Sequence, residues 1–163
     1  MNKRIPALLV LVVIVAAMSA AVAGAKSVRT KHKLTATAQL GTISTAANFP
    51  AIGSATTDAG IVKSTVGGRG AETDALKVTA TPAPGTLTLS GTAKLFYDKG
   101  TQTAKATIEA TIAADGSVAY TGSGTFTKGT GIYNGVTGKV TFTGASPANS
   151  GVTTLNAKGT ITY

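Results

Sequence analysis

The chain has 163 residues, with 20 Gly, 5 Pro, no Cys, no Trp, one His and a formal net charge of +9. That length fits a single domain, and the missing cysteines exclude a disulfide framework, a thiolate nucleophile and any Cys-based zinc or iron–sulfur site. One histidine and six carboxylates leave few groups for acid–base or metal chemistry.

Residues 1–25 read as an export signal. Asn2-Lys3-Arg4 is a basic start, an apolar run follows from Ile5 to Met18, and small residues then dominate. Ala21-Val22-Ala23 and Ala23-Gly24-Ala25 both satisfy the small-x-small rule for cleavage. The alternative is an uncleaved anchor, since Ile5 to Ala23 approaches the roughly 20 residues that span a bilayer. A secreted, extracytoplasmic chain is therefore expected, or one held at the membrane through this segment alone. Residues 26–33 follow as a basic arm carrying Lys26, Arg29, Lys31 and Lys33. Such an arm suits an anionic cell-envelope component or simply a solvated linker. From Leu34 onward nine basic and six acidic residues nearly balance.

Residues 34–163 alternate apolar side chains with Thr and Ser, the period-two signature of half-buried strands. The clearest are Thr86–Ser90, Thr107–Ile112, Gly124–Thr127, Val140–Thr143 and Gly159–Tyr163. Weaker candidates are Leu34–Leu40, Gly60–Val66, Ala75–Thr81, Ala93–Tyr97 and Ser117–Thr121. Ala46–Thr57 and Gly67–Gly70 read as loops, and Asp115-Gly116 as a type I′ hairpin turn. Parity points Leu87, Leu89, Ile108, Ile112, Val118, Tyr120, Phe126, Val140, Phe142 and Ile161 inward, and Thr88, Glu109, Thr125 and Thr141 outward. The expected fold is all-β: an antiparallel up-and-down barrel of about eight strands, with a sandwich as the alternative. Closure is favoured because the outer face has few charges to deter edge pairing.

Other constellations are sparse. A Ser-His-Asp triad would need His32, on the arm. Glu72-Thr73-Asp74, with Asp58, could offer oxygens to Ca²⁺, but without ligand-loop spacing these read as solvated surface. Gly67-Gly68-Arg69-Gly70 precedes no helix and is no phosphate loop. Lys94, Lys105, Lys128, Lys139 and Lys158 are dispersed and lack the interleaved aromatics of a nucleic-acid face. The Thr-x-Thr triplets recur at uneven gaps, unlike a solenoid ice-binding array. No catalytic, cofactor or metal set is assigned.

One motif carries a resemblance. Gly129-Thr130-Gly131-x-Tyr133-x-Gly135-x-x-Gly138 resembles the glycine-rich strand and turn of the allene oxide cyclase-like and dirigent-like barrels, over roughly residues 86–163. Small secreted bacterial proteins that end in a Gly-Thr-x-Thr-Tyr strand look similar. The glycines suit tight turns and close strand approach, and Tyr133 supplies the large side chain that packs. The resemblance implies a barrel with a lipocalin-like central cavity, hence a small apolar ligand. The cyclases' cysteine has no counterpart, and Arg4, Arg29 and Arg69 cannot match the dirigent arginines, so no site residue transfers.

Three functions are compatible with this. The first is a non-enzymatic binding module, taking a small apolar molecule in the barrel or a protein at its rim. The second is a structural, cell-envelope interaction protein docking through the basic arm. The third is an isomerase- or cyclase-like enzyme, which needs a polar residue inside the barrel, where Glu109 is expected to face outward and Asp115 to lie in a turn. No cofactor and no nucleic-acid partner are expected.

Overall fold

Threonine and β-branched or aromatic residues in alternation fit a pleated surface that is dry on one side and wet on the other. Residues 28–163, the ones described by the computed structural model, use that pattern in eight strands. These are β1 (Lys31–Thr45), β2 (Ala55–Ser64), β3 (Gly68–Ala83), β4 (Thr86–Tyr97), β5 (Gly100–Ile112), β6 (Val118–Gly129), β7 (Thr137–Ser146) and β8 (Val152–Thr162). One 3₁₀ turn, Gly131–Tyr133, sits between β6 and β7. The proposed signal and Lys26 lie outside the described residues.

The strands form a closed barrel in chain order, antiparallel throughout, as the alternation predicts. Closure is made by β1 and β8, which pair from Lys31 opposite Thr162 to Gly41 opposite Val152. Among the described residues no strand is left with an unpaired edge. The apolar side faces the lumen and Thr and Lys face out, the reverse of a membrane barrel, whose apolar band faces lipid.

The interior has two apolar clusters, one towards each end. Leu34, Leu95, Tyr97, Phe126, Tyr133, Val136, Val140 and Ile161 belong to the first. Leu76, Val78, Leu87, Leu89, Ile108 and Ala110 form the second, with Phe49, Val118, Tyr120 and Phe142 packed against it. Between them the inward positions are small. Ala93 lies opposite Ala104, and Gly91 opposite Ala106, which lies opposite Gly124 in turn.

Several expectations are corrected. Lys31, His32 and Lys33 are not a free arm: they open β1 and pair with Thr162, Ile161 and Thr160. His32 stacks on Tyr163 with ring centroids 4.6 Å apart, which helps explain why the strand begins so early. Gly68–Gly70 is not loop but the start of β3, paired with β2 from Ser64 opposite Gly68. The β1–β2 loop ends at Ser54, before β2 begins at Ala55. The Asp115-Gly116 turn is not type I′, because only Gly116 has positive φ. Gly116 N–H donates to the Ala113 carbonyl, and the Asp115 carboxylate accepts from Ser117 N–H and its hydroxyl instead. Ile112 points inward as expected and borders the lumen, but it is 39% exposed because β5 runs past the packed core to the rim.

Candidate functional site

The glycine-rich motif builds one end of the barrel. Tyr133 is 1% exposed, packed against Tyr163 at 5.0 Å and Tyr97 at 5.8 Å between ring centroids. The 3₁₀ turn is tied to the β4–β5 hairpin: Thr130 N–H donates to the Thr101 carbonyl and Ile132 N–H to the Lys99 carbonyl. Gly131 has φ +61°, and a Cβ there would collide with the Lys99 carbonyl oxygen. Gly138 has φ +144°, and a Cβ there would collide with the Thr160 carbonyl oxygen, so β7 could not reach β8. Gly129 lies against the Tyr133 carbonyl, and Gly135 turns under the Arg29 guanidinium. The motif residues therefore come together as a plug. Of the basic residues assigned to the arm, Arg29 lies over this plug, and Lys31 and Lys33 point outward from β1.

The interior between the clusters holds groups that sequence reasoning placed elsewhere. Glu72 and Asp74 point into the lumen from β3, beside the small residues Ala36, Ala38, Ala93, Ala104 and Ala106. Asp58 does so from β2, directly opposite Asp74 in register. The reading of these three as solvated surface is thus overturned. On β3 the inward parity that buries Leu76 and Val78 continues back through Asp74 and Glu72. That signal was available, but only to a reading that carried the strand through the Gly-rich segment. Glu109 and Asp115 are exposed, as expected for both.

Two adjoining cavities result. One, of about 80 Å³, is bordered by Glu72, Asp74, Tyr97, Ala104, Phe126 and Leu155 among others. The other, of about 200 Å³, runs towards the rim between Asp58, Asp74, Phe49, Tyr120, Ile112 and Thr153. Asp74, Leu76, Ile108 and Leu155 border both. Phe49 reaches the second from the β1–β2 loop, which is docked on β3 by Gly53 N–H to the Val78 carbonyl and Val78 N–H to the Ser54 carbonyl.

The electrostatics follow from burial. Asp74 is 5% exposed and its Oδ1 has no hydrogen-bond partner. Burial pushes its carboxyl up to about 7, and the Asp58 charge adds to this. Burial pushes Glu72 up to about 8, and the Asp74 charge adds in turn. Asp58 is raised by burial as well, offset in part by a hydrogen bond with the Thr42 hydroxyl. The Tyr97 hydroxyl is also raised by burial, despite relief from the nearby Ser64 hydroxyl. Like charges this close cannot all ionise in a dry site, so each carboxyl keeps its proton to a higher pH than a free carboxylate does. Among the described residues, neither cavity is bordered by Lys, Arg or His. Among them, too, no group of three His, Cys, Asp or Glu is arranged to hold a metal ion.

This arrangement changes the meaning of the charge balance. Three of the six carboxylates lie in the lumen, leaving Asp98, Glu109 and Asp115 exposed against nine basic residues after Leu34. The outer surface is more basic than the sequence count suggests. The fold defines an eight-stranded antiparallel barrel with an acidic, mainly apolar lumen. Comparison of the chain with protein-family models, curated proteins and solved structures found no match.

Proposed function

We propose that the protein is a binding module that takes a small, mainly apolar molecule in its lumen. The observation that carries this is the pair of adjoining cavities in a barrel of a size that side chains could fill. A dry cavity of about 150 Å³ is enough to hold benzene, so about 200 Å³ accommodates a ligand of that scale. The small residues along the inner wall create this space, and the plug at the Tyr133 end leaves entry to the rim near Phe49.

The test is binding of toluene, followed by NMR shifts of Ile108 and Leu155, which border both cavities. The control replaces Ala106 and Ala110 with Leu, because these inward residues flank Ile108 on β5 and each borders one cavity. Binding should be saturable and be lost in the double variant while the barrel's circular dichroism is kept. No shifts at millimolar toluene, or equal shifts in the filled variant, would remove the reading.

A second reading, docking on an anionic cell-envelope polymer, draws support from the excess of exposed basic residues. Its electrostatic attraction weakens as salt rises. Retention on an anionic polymer that survives 1 M salt unchanged would count against it.

A further inference from the structure

We propose that the lumen selects a cation: a primary amine on a short apolar body, with its ammonium held between Asp74 and Glu72. The inference rests on the lumen-binding reading and names the ligand's chemistry. Four observations converge on it. Asp74 is almost wholly buried, borders both cavities, and presents an oxygen without a partner. Glu72 borders the same cavity two residues along β3, on the same face. Asp58 faces Asp74 from β2. The remaining wall is made of small and apolar side chains, among them Ala36, Ala93, Ala106 and Leu155.

An ammonium has three donors and no acceptor, the complement of carboxylate oxygens that lack donors. A fatty acid would bring a further negative charge to a wall that holds three carboxyls. A neutral alcohol brings no charge to replace a carboxyl proton, so it gains nothing from the ionised form of the acidic pair. The outer surface works in the same direction. Its excess of lysine and arginine repels ammonium ions, so an amine gains nothing by binding there, whereas a fatty acid is drawn to the exterior.

The proton count is fixed by the groups around the site. Those that titrate and face Asp74 are Asp58 from β2, Glu72 from β3 itself, Tyr97 from β4 and Tyr120 from β6. All are acids that carry a proton when neutral. Entry of an ammonium takes the place of one carboxyl proton, which leaves to buffer. Affinity should therefore rise with pH up to about 7–8, where the carboxyls ionise unaided. It should fall again only as the amine loses its own proton, near about 10 for an alkylamine of lysine type.

The experiment compares n-hexylamine, hexan-1-ol and hexanoate with the full chain by calorimetry at pH 5 and pH 8. Two buffers of different ionisation heat are used at each pH. Hexylamine should bind at least tenfold more tightly than hexan-1-ol at pH 8 and release about one proton at pH 5. Between pH 8 and pH 5 its affinity should drop by about a hundredfold, while that of hexan-1-ol stays level. In Asp74→Asn and in Glu72→Gln the preference for the amine should fall by at least tenfold with hexan-1-ol binding kept. If hexan-1-ol binds and the amine shows no preference, the lumen-binding reading stands and this inference fails. If none of the three binds, both fail. An amine preference that survives in both variants overturns the assignment of Asp74 and Glu72.

Discussion

Replacing Asp74 with Asn should stabilise the protein at neutral pH and remove much of its pH dependence. The reasoning starts from linkage. An aspartate titrates near 3.9 in an unfolded chain, whereas burial beside Asp58 and Glu72 holds Asp74 at about 7 in the barrel. The folded state thus binds this proton about 3 units more tightly, equivalent to about 4 kcal/mol. Because the folded value is the higher one, the contribution is fully present below about pH 4. It is lost at roughly 1.4 kcal/mol per unit as pH rises, and is gone above about pH 8. Glu72, held at about 8, adds in the same sense. The two share one mutual repulsion, so their contributions overlap rather than sum. Asparagine is neutral at every pH and also relieves Glu72 of a like charge. Thermal melts followed by circular dichroism at pH 4, 6 and 8 would read the effect. For a domain of this size a kilocalorie corresponds to roughly 3–5 °C, so the variant should melt on the order of 10 °C above the parent at pH 8. The two should nearly coincide at pH 4. Taking the difference between the curves cancels the contribution of the exposed charges, which both proteins share. A parent whose advantage over the variant increases with pH would refute the burial of an uncompensated carboxyl at this position.

Two further outcomes concern the plugged end. Tyr133→Ala should cost about 3–5 kcal/mol, the range for emptying an aromatic site in a core. Tyr133→Phe should cost less than about 1 kcal/mol, because the hydroxyl reaches the Val66 carbonyl only at 3.4 Å; urea unfolding of both variants separates packing from hydrogen bonding. Gly138→Ala should lose at least about 2 kcal/mol, since φ +144° is strained for alanine and its Cβ meets the Thr160 carbonyl. Faster amide exchange confined to β7 and β8 would locate the damage, and unchanged stability would contradict the close approach.

The barrel was legible because its code is simple. Thr125-Phe126-Thr127 and Val140-Thr141-Phe142-Thr143 declare which side is dry, and that alternation survives in β6 and β7. Strand limits were harder to read where the alternation is carried by unusual residues. On β3 the inward positions run Gly70, Glu72, Asp74, Leu76 and Val78, of which only the last two are apolar. A hydrophobicity pattern ends at Leu76, so the acidic pair fell outside the strand and was read as wet surface. Backbone hydrogen bonding does not end there: Glu72 pairs across Gly60 and Asp74 across Asp58. Lys31–Lys33 misled for the same reason, since outward lysines carry no pattern until their partners on β8 are known. The plug residues, by contrast, stood out in the sequence, because the spacing of Gly129, Gly131, Gly135 and Gly138 around Tyr133 has no ready explanation in a plain strand.

What the sequence could not show is that the small residues border one cavity. Ala36, Ala38, Ala93, Ala104, Ala106 and Ala157 come from four different strands and count as ordinary apolar residues. Only the register brings them together: Asp74 opposite Ala93, Ala93 opposite Ala104, and Ala36 opposite Ala157. An eight-stranded barrel can be packed solid by its own side chains, and Leu or Val at these positions would bury more apolar area. Stability alone thus explains neither the missing volume nor the carboxyls placed beside it, each of which costs free energy at neutral pH. Two independent departures from the most stable interior meet at one place. Buried acids with raised proton affinity and unfilled space tend to coincide where a molecule is recognised. The convergence of both on Asp74 and Glu72, inside a mainly apolar wall, is the physical ground for proposing a function in the lumen rather than on the basic exterior.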